Sequence, residues 1–362
     1  MERKGPADLL LFFITLILLA IGLIMVLSAS SYAALLTYND ALFFFKRQCG
    51  FMTLGFVFMF IMMNISPEFV KKLAVPAMIA CIVMLILVPF IGVEVNGSKR
   101  WLGTQSMRFA PAEIAKPVVI VFFAMWLSSL KKQHLQTVKG FVYTLVVLAI
   151  IPGLVVIEDL GTAIAIAGAL VCMMIAAEVP WRYLGCTVGL GLAGVVAMIA
   201  VKPYRLKRIT IWLDPFSDPL GNGFQAVQSL YAIGSGWLFG VGLGASRQKL
   251  LYLPERHTDF IFSIIAEELG FVGAAFVILL FAMFIWRGFY IAVHLEDKFK
   301  SLTAFGLTAV IGIQAMINIG VAVGALPVTG ITLPFISYGG TSLSFMLATV
   351  GFLLNMSRYM KR

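Results

Sequence analysis

One polar stretch of the chain, residues 253–270, combines side chains that could carry out acid–base chemistry. Its sequence, LPERHTDFIFSIIAEELG, places Asp259 directly before an apolar segment of the kind that enters a membrane. A carboxylate at the mouth of a membrane helix is costly to desolvate, so it is usually paired, facing water or functional. Helix capping by Thr258 or Asp259 is the structural alternative, because either side chain can accept hydrogen bonds from the first free N–H groups. The stretch alone favours the cap.

Basic residues in two further loops suit the binding of an anion. Arg100 lies in the 92–110 loop, and Arg205 and Arg208 lie in the 203–258 loop. Both loops fall on the side of the membrane opposite to the other basic loops, where Lys and Arg run against the positive-inside rule. We therefore expect them to bind an anionic group, with contact to lipid headgroups as the alternative.

Two acidic residues, Glu113 and Asp159, lie near the same side of the predicted membrane bundle. Each has a structural and a functional interpretation. Glu113 and Lys116 stand three residues apart in the first turns of a predicted span, and therefore on one helix face. They form either an ion pair within the membrane or a polar patch that faces the bundle and touches substrate. Asp159 precedes another apolar segment, where it either caps a helix or takes part in a site.

Segments without regular helical pattern on the same side of the membrane have features that plain linkers do not need. Residues 224–232 predict a short amphipathic helix, and five glycines between 234 and 244 permit close backbone approach. The glycine run has no GxxxxGK[ST] pattern and is not a phosphate loop. Residues 326–342 contain prolines and glycines that preclude a regular helix, and irregular backbone at membrane depth must be buried in protein or line a cavity.

Composition places the chain among membrane proteins with many spans. Of its 362 residues, 61% are hydrophobic and 12% charged, which no soluble globular protein requires. The net charge of +10 is explained by loops that set topology and meet anionic lipid, so we expect no nucleic-acid partner. Four cysteines without CxxC spacing and three dispersed histidines predict neither a disulfide framework nor a metal site.

Hydropathy predicts an all-α fold with about ten spans of bilayer length. Their approximate limits are 8–30, 47–64, 71–91, 111–130, 138–157, 160–178, 181–202, 259–287, 301–325 and 335–357. The first run lacks a small-residue cleavage site, so we expect it to remain as a membrane helix.

Basic residues that flank these spans set the orientation. They are Arg3, Lys4, Lys71, Lys72, Lys131, Lys132, Lys139, Arg287, Lys298, Lys300, Arg358, Lys361 and Arg362. All fall on one side, which the positive-inside rule makes cytoplasmic, so both termini are predicted inside. The chain then forms a single membrane domain, 1–362, without an internal repeat and with one large external loop at about 203–258.

Several long motifs in order resemble the SEDS family of bacteria, which comprises FtsW, RodA and SpoVE. The matching segments are PYRLKRIT (203–210), GNGFQAVQSLYAIGSG (221–236), LFGVGLG (238–244), QKLLYLPERHTDFIF (248–262), AEELG (266–270) and PVTGITLPFISYGGTS (327–342). VNGSKRWL (95–102) looks more like FtsW than RodA. The family often has Gln-Pro-Asp before Leu-Gly-Thr, where this chain has Ile157-Glu158-Asp159.

The resemblance implies a peptidoglycan glycosyltransferase that polymerises lipid II on the outer face of the bacterial cytoplasmic membrane. It implies Asp259 as the catalytic acid or base, and as partners a class B penicillin-binding protein and the division or elongation machinery. From the resemblance and the external loops together, we predict substrate contacts by Arg205, Arg208, Lys116, Glu113, Arg100, Trp101, Lys249, Glu255, His257, Thr258, Gln225 and Ser229.

The types of residue at these positions suit the transfer of a sugar to a hydroxyl group. Transfer to a sugar hydroxyl needs a base, which Asp259 can supply, and Arg and Lys can stabilise the charge on a departing undecaprenyl diphosphate. An α-linked donor and a β-1,4 product mean a single inverting displacement. A magnesium or manganese ion on the diphosphate is compatible, although no ligand set stands out. A lipid II flippase and a non-catalytic scaffold for cell-wall assembly remain the alternatives.

Overall fold

Helices joined by short connections make up most of the protein. The computed structural model describes residues 5–95, 98–103, 108–131, 133, 136–157, 159–201 and 203–361. The helices are α1 (Leu9–Tyr38), α2 (Phe43–Asn64), α3 (Pro67–Ile91), α4 (Pro111–Ser129), α5 (Val138–Val155), α6 (Leu160–Ala176), α7 (Trp181–Val201), α8 (Pro203–Leu213), α9 (Phe224–Gly236), α10 (Ile261–Val293), α11 (Lys298–Ala322) and α12 (Thr341–Ser357).

Side-chain caps fix where several of these helices begin. The capping residues are Asp8, Ser66, Thr137, Asp159 and Asp297, and each accepts a hydrogen bond from a main-chain N–H in the first turn. Such caps satisfy donors that would otherwise lack a partner within the helix. Capping is therefore confirmed for Asp159.

The helical multi-pass fold is confirmed. Among the described residues, eight helices are long and apolar enough to cross a membrane. Two shorter apolar helices, α6 and α12, correspond to predicted spans six and ten. Every predicted span therefore has a helix, while the number of crossings stays a prediction.

Predicted span eight, 259–287, corresponds to α10, which is interrupted at one residue. In α10, Gly270 has φ 69° and ψ −168°, which interrupts the helix and leaves its neighbouring main-chain groups without helical partners. Residues 237–242 supply those partners: Trp237 O accepts from Phe271 N at 2.7 Å, and Val241 N donates to Glu267 O at 2.9 Å. Residues 271–293 alone span about 34 Å at 1.5 Å per residue, enough to cross the hydrocarbon core.

The segments predicted to be external contain one helix and a small sheet that the sequence did not predict. Residues 203–213 form α8 within the predicted external loop, and α9 extends the amphipathic helix expected at 224–232. The 92–110 segment contains a small antiparallel sheet in the order β1 (Val93–Val95), β2 (Ser98–Gly103), β3 (Arg108–Phe109). Short strands of this kind lack the hydrophobic alternation that would reveal them in the sequence.

Helix α11 lies at the centre of the bundle, whereas α7 lies at its edge. In the most apolar window of α11, 72% of residues are buried, against 11% for α7. A central helix contacts several neighbours at once, so polar side chains on α11 can reach loops from different parts of the chain. The central position of α11 therefore lets its side chains contribute to the candidate site.

The two termini meet at one end of the bundle, as the predicted orientation requires. Gly5 N donates to Arg358 O at 2.8 Å, and Arg287 pairs with Asp8 at 2.6 Å. Arg3, Lys4, Lys132, Glu158 and Arg362 lie outside the described residues. The assignment of this end to the cytoplasm stays a prediction.

Candidate active site

The turn that carries the predicted catalytic carboxylate is clamped through its main chain. Tyr338 N donates to His257 O at 2.8 Å, and Ser337 Oγ donates to Thr258 O at 2.5 Å. Both donors belong to the irregular segment that the sequence predicted to line a site. Because the two segments are tied at consecutive residues, the turn cannot shift without moving the segment that faces it.

Helix α11 completes the clamp through the amide of Asn318. Its Nδ2 donates to Asp259 O and to Ile331 O, each at 2.7 Å. Asn318 is buried, so these hydrogen bonds form away from water, where losing a partner is expensive. The direction in which the Asp259 side chain leaves the backbone is therefore set by a packed helix.

The carboxylate of Asp259 shares a small space with the guanidinium of Arg100. Gly330 lies beside both, with φ +80°, and a Cβ placed on it would stand 3.6 Å from Asp259 Oδ2 and 3.6 Å from Arg100 Nη1. The left-handed φ favours glycine there, and the missing side chain keeps the space open. This is the opening into which a reacting hydroxyl could fit.

The capping interpretation of Asp259 and Thr258 is wrong. Phe260 occupies the N-cap position of α10, and among the described residues no side chain caps that helix. Thr258 Oγ1 instead donates to Glu255 Oε2 at 2.7 Å. The Asp259 side chain is thus available for a role other than capping.

Electrostatics prepare Asp259 for proton transfer near neutral pH. Burial raises the pKa of Asp259 to about 7, and the negative charge of Glu255 acts in the same direction. The guanidinium groups of Arg100 and Arg208 act in the opposite direction and lower the pKa of this carboxyl. A carboxylate with a pKa near the working pH is suited to act as a general base.

His257 is a neutral, packed side chain. Burial lowers the pKa of His257 to about 4, so the imidazole carries no charge at pH 7. Its ring contacts Phe44, with centroids 4.6 Å apart, and Tyr338, with centroids 5.7 Å apart, and those two rings also contact each other. These contacts make His257 part of the wall beside Asp259.

Two arginines hold external segments near the carboxylate. Arg100 Nη1 lies 3.3 Å from Asp159 Oδ2, which connects β2 to the start of α6. Arg208 Nη1 donates to Val328 O at 2.9 Å. A guanidinium carries five N–H donors, so an arginine can bind a protein group and an anion at once.

The pair Glu113 and Lys116 forms as the spacing predicted, at 2.8 Å, and belongs to a larger buried network. Lys116 Nζ donates to Gln314 Oε1 at 2.7 Å, and Ser342 Oγ donates to Glu113 Oε2 at 2.6 Å. Gln314 Nε2 donates in turn to Thr332 O at 3.0 Å. The network therefore supports the same irregular segment as Asn318 does, while substrate contact by the pair stays a prediction.

Three predicted substrate residues are engaged with the protein itself. Arg205 Nη2 donates to main-chain oxygens just after α5, at 2.7 and 3.1 Å. Lys249 is buried and pairs with Glu268 at 3.0 Å, and Ser229 Oγ donates to Ala322 O at 2.7 Å. The geometry gives each of these residues a structural role, and their substrate contacts stay predictions.

The remaining predicted residues lie at the edges of the site. Trp101 follows Arg100 in β2 and pairs with Val93. Gln225 lines a cavity of about 470 Å³, together with Arg208. Substrate contact by Trp101, Gln225, Glu255, His257 and Thr258 also stays a prediction.

Metal binding has no support from the arrangement of side chains. Over the ranges that the structure describes, no three His, Cys, Asp or Glu residues cluster closely enough to hold an ion. The divalent cation stays a prediction, and no chemical step below passes through it.

Sequence reasoning missed the residues that position the turn. Asn318, Gln314 and Ser337 do not belong to a charged or basic cluster, so they did not stand out as chemistry. A signal existed, because Gln314 and Asn318 are amides four residues apart inside an apolar helix, and polar groups there are expensive.

Comparison with known proteins identifies the family of the chain. The family of cell cycle proteins that comprises FtsW, RodA and SpoVE matches residues 8–362. The chain belongs to the FtsW/RodA/SpoVE family.

Members of the FtsW/RodA/SpoVE family match over nearly the whole chain. Stage V sporulation protein E of Bacillus subtilis (strain 168) is 46% identical over 360 residues, which cover 99% of this chain and 98% of that protein. The probable peptidoglycan glycosyltransferase FtsW of Geobacter sp. (strain M18) is 38% identical and covers 100% and 99% of the two chains.

Solved structures of the FtsW/RodA/SpoVE type share the fold. A chain from a peptidoglycan synthase complex, described as coordinating polymerization and crosslinking, aligns with a TM-score of 0.80 at 31% identity, over 97% of this chain and 98% of that one. The rod shape determining protein RodA of Thermus thermophilus aligns with a TM-score of 0.72 at 28% identity, over 98% of each chain.

Proposed function

We propose that this protein is a peptidoglycan glycosyltransferase that polymerises lipid II at the outer face of the bacterial cytoplasmic membrane. Relatives with this activity in their names match the chain from end to end. The external loops bring a carboxylate and arginines together above a helical bundle, which suits a substrate that is part lipid and part polar anion.

Asp259 acts as the general base. It accepts the proton from the 4-hydroxyl of the acceptor sugar while that oxygen attacks the anomeric carbon of the donor. The observation that carries the assignment is a partly buried carboxylate whose pKa is raised to about 7 and whose main chain is fixed by Asn318. A fixed base with a matched pKa contributes about 10²- to 10⁴-fold to such a step.

The donor leaves as undecaprenyl diphosphate, and arginines stabilise the charge that develops on it. Arg100 and Arg208 both lie close enough to influence the Asp259 carboxyl, and guanidinium groups form strong charge-assisted hydrogen bonds with phosphate oxygens. A diphosphate is a stable anion, so the reaction needs no strong general acid. One displacement at the anomeric carbon then inverts an α-linked donor into a β-1,4 product.

A class B penicillin-binding protein is the expected partner and supplies the transpeptidase. The similarity to a chain from a peptidoglycan synthase complex supports a joint assembly, because that complex is described as coordinating polymerization with crosslinking. The division or elongation machinery would then recruit this pair to the site of wall growth.

The test is polymerisation of lipid II by the purified protein with its cognate transpeptidase in lipid nanodiscs. We expect wild type to make glycan polymer and Asp259→Asn to lose the activity by about 10²-fold or more. Asp214→Asn, an exposed carboxylate of the same external region, is the matched control and should retain full activity.

Other outcomes would point to the alternatives. Movement of lipid II across a liposome membrane without polymer, in wild type and Asp259→Asn alike, would favour a flippase. A folded protein that binds the transpeptidase but shows neither activity would favour a scaffold. Equal polymerisation by wild type and Asp259→Asn would exclude the base assignment.

A further inference from the structure

A cavity of about 470 Å³ opens on the external side between α8, α9 and the outer end of α11. Its volume falls in the range of sites that bind small ligands, about 300–1,000 Å³. Two hydrogen bonds join its walls. Trp212 Nε1 donates to Gly324 O at 3.0 Å, and Arg208 Nη1 donates to Val328 O at 2.9 Å. The cavity is therefore a built feature rather than a gap between loosely placed loops.

The lining separates into an apolar part and a cationic part. Ile211, Leu230 and Val321 contribute apolar surface, whereas Lys207 and Arg208 contribute the only charges among the lining residues, all of which are described. No lining side chain is acidic, whereas Asp218 acts on Lys207, and Asp159 and Asp259 act on Arg208, from outside the lining. A ligand that satisfies both parts is an amphiphile with an anionic head, and phosphate suits adjacent Lys and Arg donors.

The cavity and the candidate base adjoin the same short segment. Val328 lines the cavity, and Gly330 follows two residues later, where a Cβ would stand 3.6 Å from Asp259 Oδ2. Arg208 also lines the cavity, donates to Val328 O at 2.9 Å, and acts electrostatically on the Asp259 carboxyl. A donor whose phosphate is held by Arg208 would therefore place its sugar beside the segment that faces Asp259.

We propose that this cavity binds the prenyl diphosphate end of the glycan donor. The diphosphate contacts Lys207 and Arg208, and the first isoprene units contact Ile211, Leu230 and Val321. When the acceptor oxygen bonds to the anomeric carbon, the bond from that carbon to the diphosphate oxygen breaks. Its electron pair goes to the diphosphate, and the acceptor's proton goes to Asp259. The inference rests on the proposed function, because it locates the donor of that reaction.

Binding of farnesyl diphosphate, a short prenyl diphosphate, tests the cavity without requiring turnover. The probe is a photoreactive analogue added to the full-length protein in nanodiscs of phosphatidylcholine, with labelled peptides mapped by mass spectrometry. We expect labelling on α8 and α9, prevented by excess farnesyl diphosphate. Farnesol lacks the charge-assisted contacts of the head, and inorganic diphosphate lacks the apolar contacts of the chain, so each should compete at least about tenfold less well.

Matched variants localise the binding. Ile211→Trp fills the cavity, and Leu206→Trp adds the same bulk on the exposed part of α8 that does not line it. Lys207→Gln removes one cation from the lining, and Lys72→Gln removes an exposed cation elsewhere. We expect Ile211→Trp and Lys207→Gln to weaken binding about tenfold or more, while the two controls bind as wild type does.

The results separate this inference from the proposed function. Equal binding by Ile211→Trp and wild type would overturn the cavity assignment, as would equal competition by phosphatidylglycerol, which would indicate an ordinary lipid site. If Asp259→Asn polymerises normally while prenyl diphosphate still labels the cavity, the base assignment fails and the binding site stands. If Asp259→Asn is inactive but Ile211→Trp polymerises and binds normally, the cavity inference alone fails.

Discussion

Asn318 Nδ2 lies 2.7 Å from the main-chain oxygen of Asp259 and connects the candidate base to α11, the most buried of the eight described helices that are long enough to cross a membrane. The same nitrogen donates to Ile331 O, so one amide fixes both sides of the opening beside Gly330. A base on an external turn thereby acquires the rigidity of a membrane-embedded helix. A reaction between two bound sugars requires a base that is held in a fixed position of this kind.

Replacing Asn318 with leucine should lower polymerisation by about 10²-fold, the size expected for a misplaced catalytic group. The change leaves two buried carbonyls without a donor, at about 1–3 kcal/mol each. Thr308→Val is the matched control, because Thr308 is buried on the same helix and bonds only within it. Rates at saturating lipid II separate the two roles, since a positioning residue affects kcat more than KM. A fall in protein yield with unchanged kcat would reduce Asn318 to a structural residue.

The pH dependence of polymerisation should follow the ionisation of Asp259. Because burial raises its pKa to about 7, the carboxyl is protonated and inactive as a base at lower pH, and kcat/KM rises through about pH 7. Glu255→Gln removes a negative charge that raises this pKa, so the midpoint should move to lower pH. Arg208→Gln removes a positive charge that lowers it, so the midpoint should move to higher pH. Shifts in the same direction for both variants would contradict this electrostatic account.

Adding one methyl group at Gly330 should block the reaction. Gly330→Ala places a Cβ 3.6 Å from both Asp259 and Arg100, where an acceptor hydroxyl would otherwise lie. Gly242→Ala is the matched control, because Gly242 also has a left-handed φ, +102°, but open space around its Cβ position. Both variants should lose about 1–2 kcal/mol of stability from backbone strain, and only Gly330→Ala should lose activity. Equal activity of the two would show that the opening is not used.

The buried pair of Lys249 and Glu268 should prove structural. Lys249→Met leaves Glu268 buried without its cation, which costs about 3–5 kcal/mol. The double variant Lys249→Met with Glu268→Gln removes both charges and should recover most of that stability. Thermal unfolding in detergent measures both effects. If Lys249→Met were as stable as wild type but weakened lipid II binding, the predicted substrate contact would be the better account.

Much of the fold and part of the site could be predicted from the sequence. Each run of bilayer length in the sequence corresponds to a described helix, because the hydrocarbon core imposes a length that hydropathy reports directly. The pair of Glu113 and Lys116 followed from helical spacing, and Asp159 as a cap followed from its place before an apolar run. These are local relationships, which local patterns can specify.

The features that were missed depend on contacts between distant segments. The break at Gly270 is stable because Trp237 and Val241 satisfy the freed main-chain groups. The role of Asn318 depends on which loop folds against α11, and the sequence gives no signal for that. The ion pair of Lys249 with Glu268 was missed because the two residues lie in different segments, a loop and a largely apolar helix.

The central claim is that the Asp259 carboxylate takes the proton from the attacking hydroxyl. The most direct measurement is the rate of lipid II polymerisation from pH 5.5 to 8.5, roughly 1.5 units either side of the expected midpoint, for wild type and Asp259→Asn in the same nanodiscs. We predict a wild-type rate that rises through about pH 7 and an Asp259→Asn rate that is at least about 10²-fold lower and independent of pH. An Asp259→Asn enzyme with a wild-type rate and the same rise would contradict the account.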